Sequence, residues 1–227
     1  MTKIYLADAD RVADPEMFEK LYRMLPAHRR EKIDRSRFEK NKRLCMSAWL
    51  VLMYALEEEG VDNQNIRLSY GKYGKPYLTD YPDLFFNLSH SGNRVMCAVS
   101  DREVGCDVQQ IKTYDRKLAE RFFCPEECQH IAAAGAEERD VLFFRYWTLK
   151  ESFIKNLGRG LSLPLQEFSI DLKTDSSAVS QQVLPAESFF FREFGLDDGY
   201  RYACCARKAE IADARIVDCA EFIKGYM

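Results

Sequence analysis

Val104-Gly105-Cys106-Asp107-Val108-Gln109-Gln110-Ile111 decides the fold, because this strand restarts an order of elements that the chain has already run once. Successive strand side chains point to opposite faces, so Val104, Cys106 and Val108 share one face while Gly105, Asp107 and Gln109 share the other. Upstream, Ile4-Tyr5-Leu6 reads as a first strand. Over residues 38–56, Leu44, Ala48, Val51 and Ala55 recur at helical spacing beside Trp49 and Leu52, and Glu57-Glu58-Glu59-Gly60 ends the run. Strands follow at 66–70, 83–90 and 94–99, with a turn at Gly71-Lys72-Tyr73-Gly74 before Lys75-Pro76-Tyr77-Leu78. Downstream of the opening stretch come short helices at 117–123 and 126–134, then a long helix at 139–157. Strands at 168–172, 188–194 and 200–206 complete the order. The loops 174–181 and 195–199 are polar and expected to be mobile. We expect an α+β fold of two pseudo-symmetric halves, residues 1–102 and 103–227, each a long helix packed on a small, mostly antiparallel sheet.

Composition narrows the function classes. The chain has 227 residues, 47% hydrophobic and 30% charged, enough for a sizeable core. No stretch approaches the roughly 18 to 20 apolar residues that span a bilayer, and the first residues lack the apolar run of a signal peptide. We therefore expect a cytoplasmic protein with no membrane partner. The eight cysteines are then reduced thiols, mostly small core residues. Cys124, Cys128 and His130 raise a zinc reading, but no second cysteine pair at finger-like spacing supports it.

Charge is unevenly spread. Residues 28–43, HRREKIDRSRFEKNKR, hold eight Lys/Arg against three carboxylates, a net of +5 in a chain whose total is −3. A solvated helix face, a nucleic-acid patch and a small polyanion site all fit such a run. The acidic chain and the lack of aromatic-interleaved RNA motifs weigh against nucleic acid.

Two segments carry chemistry. Asp107 and Gln109, two residues apart on one strand face, place a carboxylate and an amide oxygen where both could approach one hard cation. On the long helix, Tyr146-Trp147-Thr148-Leu149-Lys150-Glu151-Ser152-Phe153-Ile154-Lys155 has Glu151 and Lys155 one turn apart at the edge of a wide apolar arc. A simple i,i+4 ion pair fits that spacing. Lys150, however, falls inside the apolar arc, where a charge is costly without a carboxylate partner, and such a partner near the helix edge raises the odds of a site.

Gly74-Lys75-Pro76-Tyr77, Phe86-Asn87-Leu88-Ser89-His90-Ser91, Gly105-Cys106-Asp107-Val108 and Trp147-Thr148-Leu149-Lys150-Glu151-Ser152-Phe153-Ile154-Lys155 occur in this order, the last running on into Gly158-Arg159-Gly160-Leu161. Together they resemble the 4′-phosphopantetheinyl transferases of the surfactin-synthetase-activating type, over nearly the whole chain. The resemblance implies a monomer with coenzyme A in the cleft between the halves. It implies transfer of 4′-phosphopantetheine to a serine of an apo acyl or peptidyl carrier protein, with release of 3′,5′-ADP.

By position, the resemblance implies that Asp107 and Glu151 bind magnesium, with manganese as an alternative, and that Glu151 is the base. It places Lys155 near the pyrophosphate, Ser89 and His90 at the nucleotide phosphates, and Tyr73, Gly74 and Lys75 under the adenine. Arg29, Lys32, Arg37 and Arg43 resemble its 3′-phosphate cluster. Gln109 stands where bacterial members often carry a second acid, which implies a modified metal site. The competing reading is a non-catalytic module that binds coenzyme A or a carrier protein, its metal site degenerate. A nucleic-acid-binding protein would explain none of the four motifs.

Overall fold

The structure is a computed structural model, and it describes residues 1–62, 66–172, 178–181 and 189–224. Its first sheet has the strand order β11-β1-β5-β4, built from β1 (Thr2–Asp8), β4 (Phe85–Ser91), β5 (Arg94–Ser100) and β11 (Ile211–Ile216). Its second has the order β6-β10-β9, from β6 (Val104–Gln110), β9 (Phe190–Phe194) and β10 (Tyr200–Ala206). All pairings in both sheets are antiparallel except β1 with β11. Shorter elements fill in around them: α1 (Pro15–Met24), α2 (Ala27–Asp34), the hairpin β2 (Leu68–Tyr70) and β3 (Pro76–Leu78), α4 (Arg116–Phe122), α5 (Pro125–Ala133), β7 (Phe168–Asp171), β8 (Ala178–Gln181) and α7 (Cys219–Lys224).

Alternation along the strands sets the layering. Tyr5, Ala7, Val95, Cys97 and Val99 pack on the long helix α3 (Glu39–Glu57), whose Leu44, Ala48, Val51 and Ala55 stripe is buried as its spacing requires. The opposite face of that sheet offers Ile4, Leu6, Met96 and Ala98 to Val104, Cys106, Val108, Tyr202 and Cys204 of the second sheet. Ala203 and Cys205 then meet α6 (Ala136–Leu157), together with Leu142, Phe143, Leu149 and Phe153. The order of layers is helix, sheet, sheet, helix, with an apolar core in each of the three gaps.

The two sheets also meet edge to edge. β4 and β6 share no backbone ladder. Instead, three alternate side chains of β4 accept the backbone N–H groups of β6: Asn87 Oδ1 from Cys106 at 2.9 Å, Ser89 Oγ from Val108 at 3.3 Å and Ser91 Oγ from Gln110 at 3.1 Å. Strand period places all three on one face of β4. They satisfy an edge that would otherwise bury unpaired donors.

The structure corrects or extends several sequence expectations. The polar stretch at 174–181 ends in a strand, β8, paired with the edge of β7 in a register from Phe168↔Gln181 to Asp171↔Ala178. Part of that stretch, 174–177, lies outside the described residues, as does Ser188. The 195–199 loop is anchored rather than mobile: Asp198 accepts from Arg94 Nε at 3.0 Å and Tyr202 Oη at 2.8 Å. β11 leaves the second half to pair with β1, and α7 packs beside α3. α1, absent from the periodicity argument, starts at an Asp-Pro signal: Asp14 accepts from Met17 N at 2.8 Å and Pro15 opens the helix.

Candidate active site

Gly105 brings α6 onto β6. A Cβ there would lie 2.1 Å from Ser152 O and 2.3 Å from Asn156 N, so only glycine lets the helix backbone sit this close to the strand. Two residues on, Asp107 therefore meets the last turns of α6, buried at 1% exposure. Its Oδ1 accepts from Lys155 Nζ at 2.5 Å and from Ser89 Oγ at 2.6 Å. Lys155 also donates to Ser89 Oγ at 3.0 Å. Burial is the largest influence and would lower the Lys155 pKa, but Asp107, Cys106 and Glu151 together outweigh it and hold the ammonium above the usual lysine range.

Glu151, one helical turn before Lys155, is half-buried and makes no hydrogen bond or ion pair among the described residues. Burial pushes its carboxyl above the usual range; Lys155 opposes that shift and Asp107 adds to it. Gln109 lies between these groups and β4. Its Nε2 donates to Asp107 Oδ2 at 3.2 Å and its Oε1 accepts from Ser91 Oγ at 3.1 Å. The amide nitrogen, not the oxygen expected from the sequence, faces Asp107. Ser91 belongs to the 86–91 motif but has no role assigned from the sequence; its place two positions from Ser89 on β4 was the available signal.

This donor set fits a hard divalent cation. Two carboxylates lie near one lysine, which bonds Asp107 and leaves Glu151 without a hydrogen bond or ion pair among the described residues, so negative charge is in excess. No cage of three or more His, Cys, Asp or Glu side chains occurs among the described residues. Mg²⁺ is held by one or two carboxylates when substrate phosphates complete its shell. Here Glu151 has no partner among the described residues, whereas Asp107 is buried and would exchange contacts with Lys155, Ser89 or Gln109 for the cation.

The basic run builds a separate cleft of about 680 Å³ between α2 and the β2–β3 hairpin, with His28, Arg29, Lys32, Arg35, Arg67 and Tyr70 among its lining residues. Arg29 is 5% exposed, with its guanidinium carbon 4.5 Å from the Trp49 ring centroid. Its Nε is buried without a partner, and NH2 reaches only Cys45 O at 3.5 Å. A fixed cation with unmet donors is what an anion needs. Burial lowers the pKa of Arg29, and burial and then the Arg29 charge lower that of Lys32. Arg37 and Arg43 do not line this cleft; Arg43 reaches Asp10 at 3.6 Å. Arg35 and Arg67 do line it, and the sequence argument had singled out neither.

The remaining expected residues divide sharply. Tyr73 is exposed and Gly74 has φ +84°, a turn conformation that favours glycine. Lys75 is committed elsewhere: it pairs with Glu103 and donates to Val104 O at 3.1 Å and Asn156 O at 3.0 Å. It clamps the hairpin to the junction of the halves. His90 is partly open to solvent; burial of the rest, then the charges of Lys155 and Lys32, hold its imidazole below the usual range. The buried Cys124 donates to Phe168 O at 3.0 Å, and the exposed His130 meets Tyr146 Oη through Nδ1 at 2.8 Å, so both groups have protein partners. All eight cysteines are free.

A carboxylate pair gathered with a lysine, together with a cationic cleft, defines an enzyme for an anionic group-transfer substrate. Family models agree. The 4′-phosphopantetheinyl transferase superfamily model matches residues 103–205, and a 4′-phosphopantetheinyl transferase N-terminal model matches 13–102. A Bacillus subtilis 4′-phosphopantetheinyl transferase is 34% identical over 93% of this chain and 95% of its own. The 4′-phosphopantetheinyl transferase Sfp of B. subtilis strain 168 is 34% identical over 90% of this chain and 92% of its own. The holo-[acyl-carrier-protein] synthase structure of Thermotoga maritima overlaps in part, with a TM-score of 0.39 at 20% identity, covering 46% of this chain and 61% of that one. The chain belongs to the 4′-phosphopantetheinyl transferases and is an enzyme of that activity, acting on carrier proteins.

Proposed function

We propose that the enzyme transfers the 4′-phosphopantetheine of coenzyme A to a serine hydroxyl of an apo acyl or peptidyl carrier protein, releasing 3′,5′-ADP and using Mg²⁺. The observation that carries this reading is the unpartnered Glu151 carboxylate beside the Asp107–Lys155 pair. Coenzyme A lies in the cleft between halves 1–102 and 103–227. Arg29 and Lys32 hold its 3′-phosphate, and the hairpin turn at Tyr73 and Gly74 underlies its adenine.

In the reaction, the serine oxygen bonds to the phosphorus that carries pantetheine. The bond from that phosphorus to the bridging oxygen breaks, and 3′,5′-ADP leaves with the electron pair. Glu151 takes the serine proton, a role suited to a carboxylate whose pKa burial has raised. Lys155, protonated at neutral pH, neutralises a pyrophosphate oxygen and His90 donates to the phosphates, while Ser89, whose proton goes to Asp107, holds Lys155 and Asp107 in place beside them. A divalent cation held by Asp107 and Glu151 supplies further charge neutralisation on the pyrophosphate. One chain supplies Arg29, Lys32, Asp107, Glu151 and Lys155 together, which supports action as a monomer. The eight free thiols support a cytoplasmic setting, and no helix among the described residues is long and apolar enough to cross a membrane.

Intact mass of several apo carrier proteins after incubation with coenzyme A and Mg²⁺ tests the reading. One covalent gain of about 340 Da per carrier is expected, with none in EDTA. Coenzyme A should also bind more tightly than dephospho-coenzyme A, the gap narrowing as salt rises. No mass gain on any carrier, or equal affinities at low salt, would count against it.

A further inference from the structure

The Gln109 amide does something the proposed reaction does not use. Its Nε2 sits on Asp107 Oδ2 at 3.2 Å while Lys155 Nζ sits on Oδ1 at 2.5 Å, so each oxygen of this buried carboxylate is capped by an N–H donor. Charge dictates that orientation. The reversed amide would set its oxygen against Asp107 Oδ2 with no proton between them. Ser91 permits either orientation. Its Oγ accepts from Gln110 N at 3.1 Å and donates to Gln109 Oε1 at 3.1 Å, which leaves one further lone pair free to accept.

We propose that the Gln109 carboxamide is a two-position cap: nitrogen toward Asp107 when no cation is bound, and oxygen toward the cation when one is. Ser91 is the pivot, changing from donor to acceptor as the amide turns. The inference rests on the divalent-metal reading of the Asp107–Glu151 pair. It explains what glutamine does there that glutamate cannot. A carboxylate at 109 would have no N–H for Asp107 and would add a third negative charge beside Asp107 and Glu151. The amide instead keeps the site assembled without metal and still offers an oxygen when metal arrives.

Binding of Mn²⁺ alone to the full chain, without coenzyme A and read by electron paramagnetic resonance, tests the turn. Gln109→Leu keeps the bulk and removes both amide roles; its Mn²⁺ affinity should fall several-fold, whereas that of Gln109→Glu should rise. In EDTA, Gln109→Glu should melt below the wild type and regain more on Mg²⁺ addition. If Gln109→Leu binds Mn²⁺ more tightly or equally well, the amide only competes with the cation or ignores it, and the turn is overturned. On the wild-type chain, the Gln109 side-chain NH₂ resonances, identified as the pair missing from Gln109→Leu, should move on saturation with Mg²⁺. A pair that stays in place also overturns the proposal. Mn²⁺ binding that survives Asp107→Asn would overturn the metal site itself, and the turn with it.

Discussion

Lys150 and Lys155 lie five residues apart on α6, and each meets a carboxylate, yet they sit in opposite kinds of environment. The Lys150 side chain is 0% exposed; it meets Glu127 at 2.9 Å, Leu165 O at 2.8 Å and Phe168 O at 2.6 Å, which uses all three of its protons. Glu127 is equally committed, accepting from Cys124 N at 2.9 Å and Ile170 N at 2.8 Å. The knot is closed, and it ties α5 and β7 to α6. The Lys155 side chain is 27% exposed and shares its charge between Asp107 and an unpartnered Glu151. In the sequence, the buried charge at 150 reads as a sign of a site. The structure teaches that unmet charge marks the site, and that a buried charge with all its partners present marks architecture.

The largest expected effects lie at the open end of the helix. Asp107→Ala should abolish transfer, and EDTA should do the same to the wild type. Lys155→Met should lower transfer by about 100-fold or more, on the scale of losing one charge-stabilising donor. Its melting temperature should fall less than that of Lys150→Met, because Ser89 and Gln109 still donate to Asp107. The contrast breaks if Lys150→Met, assayed well below its melting temperature, loses as much transfer per folded molecule as Lys155→Met.

At the closed end the expected loss is in stability. Lys150→Met strands the Glu127 carboxylate in the core and should cost about 3–5 kcal/mol in a urea titration. Lys150→Met/Glu127→Gln should recover part of this, since no bare charge remains and the glutamine oxygen can still take one backbone N–H. A double variant less stable than the single one would mean that Glu127 matters for its backbone contacts alone.

Gly105→Ala comes next, at about 1–3 kcal/mol on the scale of overpacking. The atoms a Cβ would strike belong to the backbone of residues 152 and 156, so no side chain can turn aside. The helix must shift, and Lys155 and Glu151 lie on the turns that shift. Transfer should fall together with melting temperature. A stable variant with full activity would show that the close approach is not what sets the site.

Periodicity made much of this legible. The α3 stripe, the face shared by Gly105, Asp107 and Gln109, and the i,i+4 placing of Glu151 and Lys155 all follow from spacing along one element. What escaped was partnership between elements. Nothing local says that β11 returns to β1 after more than a hundred residues, or that Asn87, Ser89 and Ser91 replace a backbone ladder to β6. Lys75 reads as a ligand contact but spends its protons on Glu103, Val104 and Asn156, and Arg29 reads as one of four equivalent phosphate contacts but is buried over Trp49. The basic run reveals total charge; only the packing of α2 on α3 shows that Arg29 is held at 5% exposure over Trp49 with a donor to spare in the cleft.

The smallest expected effect makes the comparison of the two lysines directly measurable. The chain has three histidines, so their ring resonances can be followed separately through a pH titration. His90 titrates below the usual histidine range because of burial first, then the charge of Lys155, then that of Lys32. Removing Lys155 removes one cause, so in Lys155→Met the His90 midpoint should rise toward the ordinary value. In Lys150→Met/Glu127→Gln it should stay in place, because neither residue acts on His90. The linkage sign follows. A histidine with a depressed folded pKa binds fewer protons folded than unfolded, so it costs stability as pH falls through its unfolded pKa of 6.5. That cost levels off below the folded pKa. The wild type should therefore lose slightly more stability than His90→Gln between pH 8 and pH 5 on the scale of ordinary histidine titration, and Lys155→Met should lose less of it than the wild type. If the His90 midpoint ignores Lys155→Met, the two side chains do not share one field, and His90 should be dropped from the phosphate-facing wall of the site.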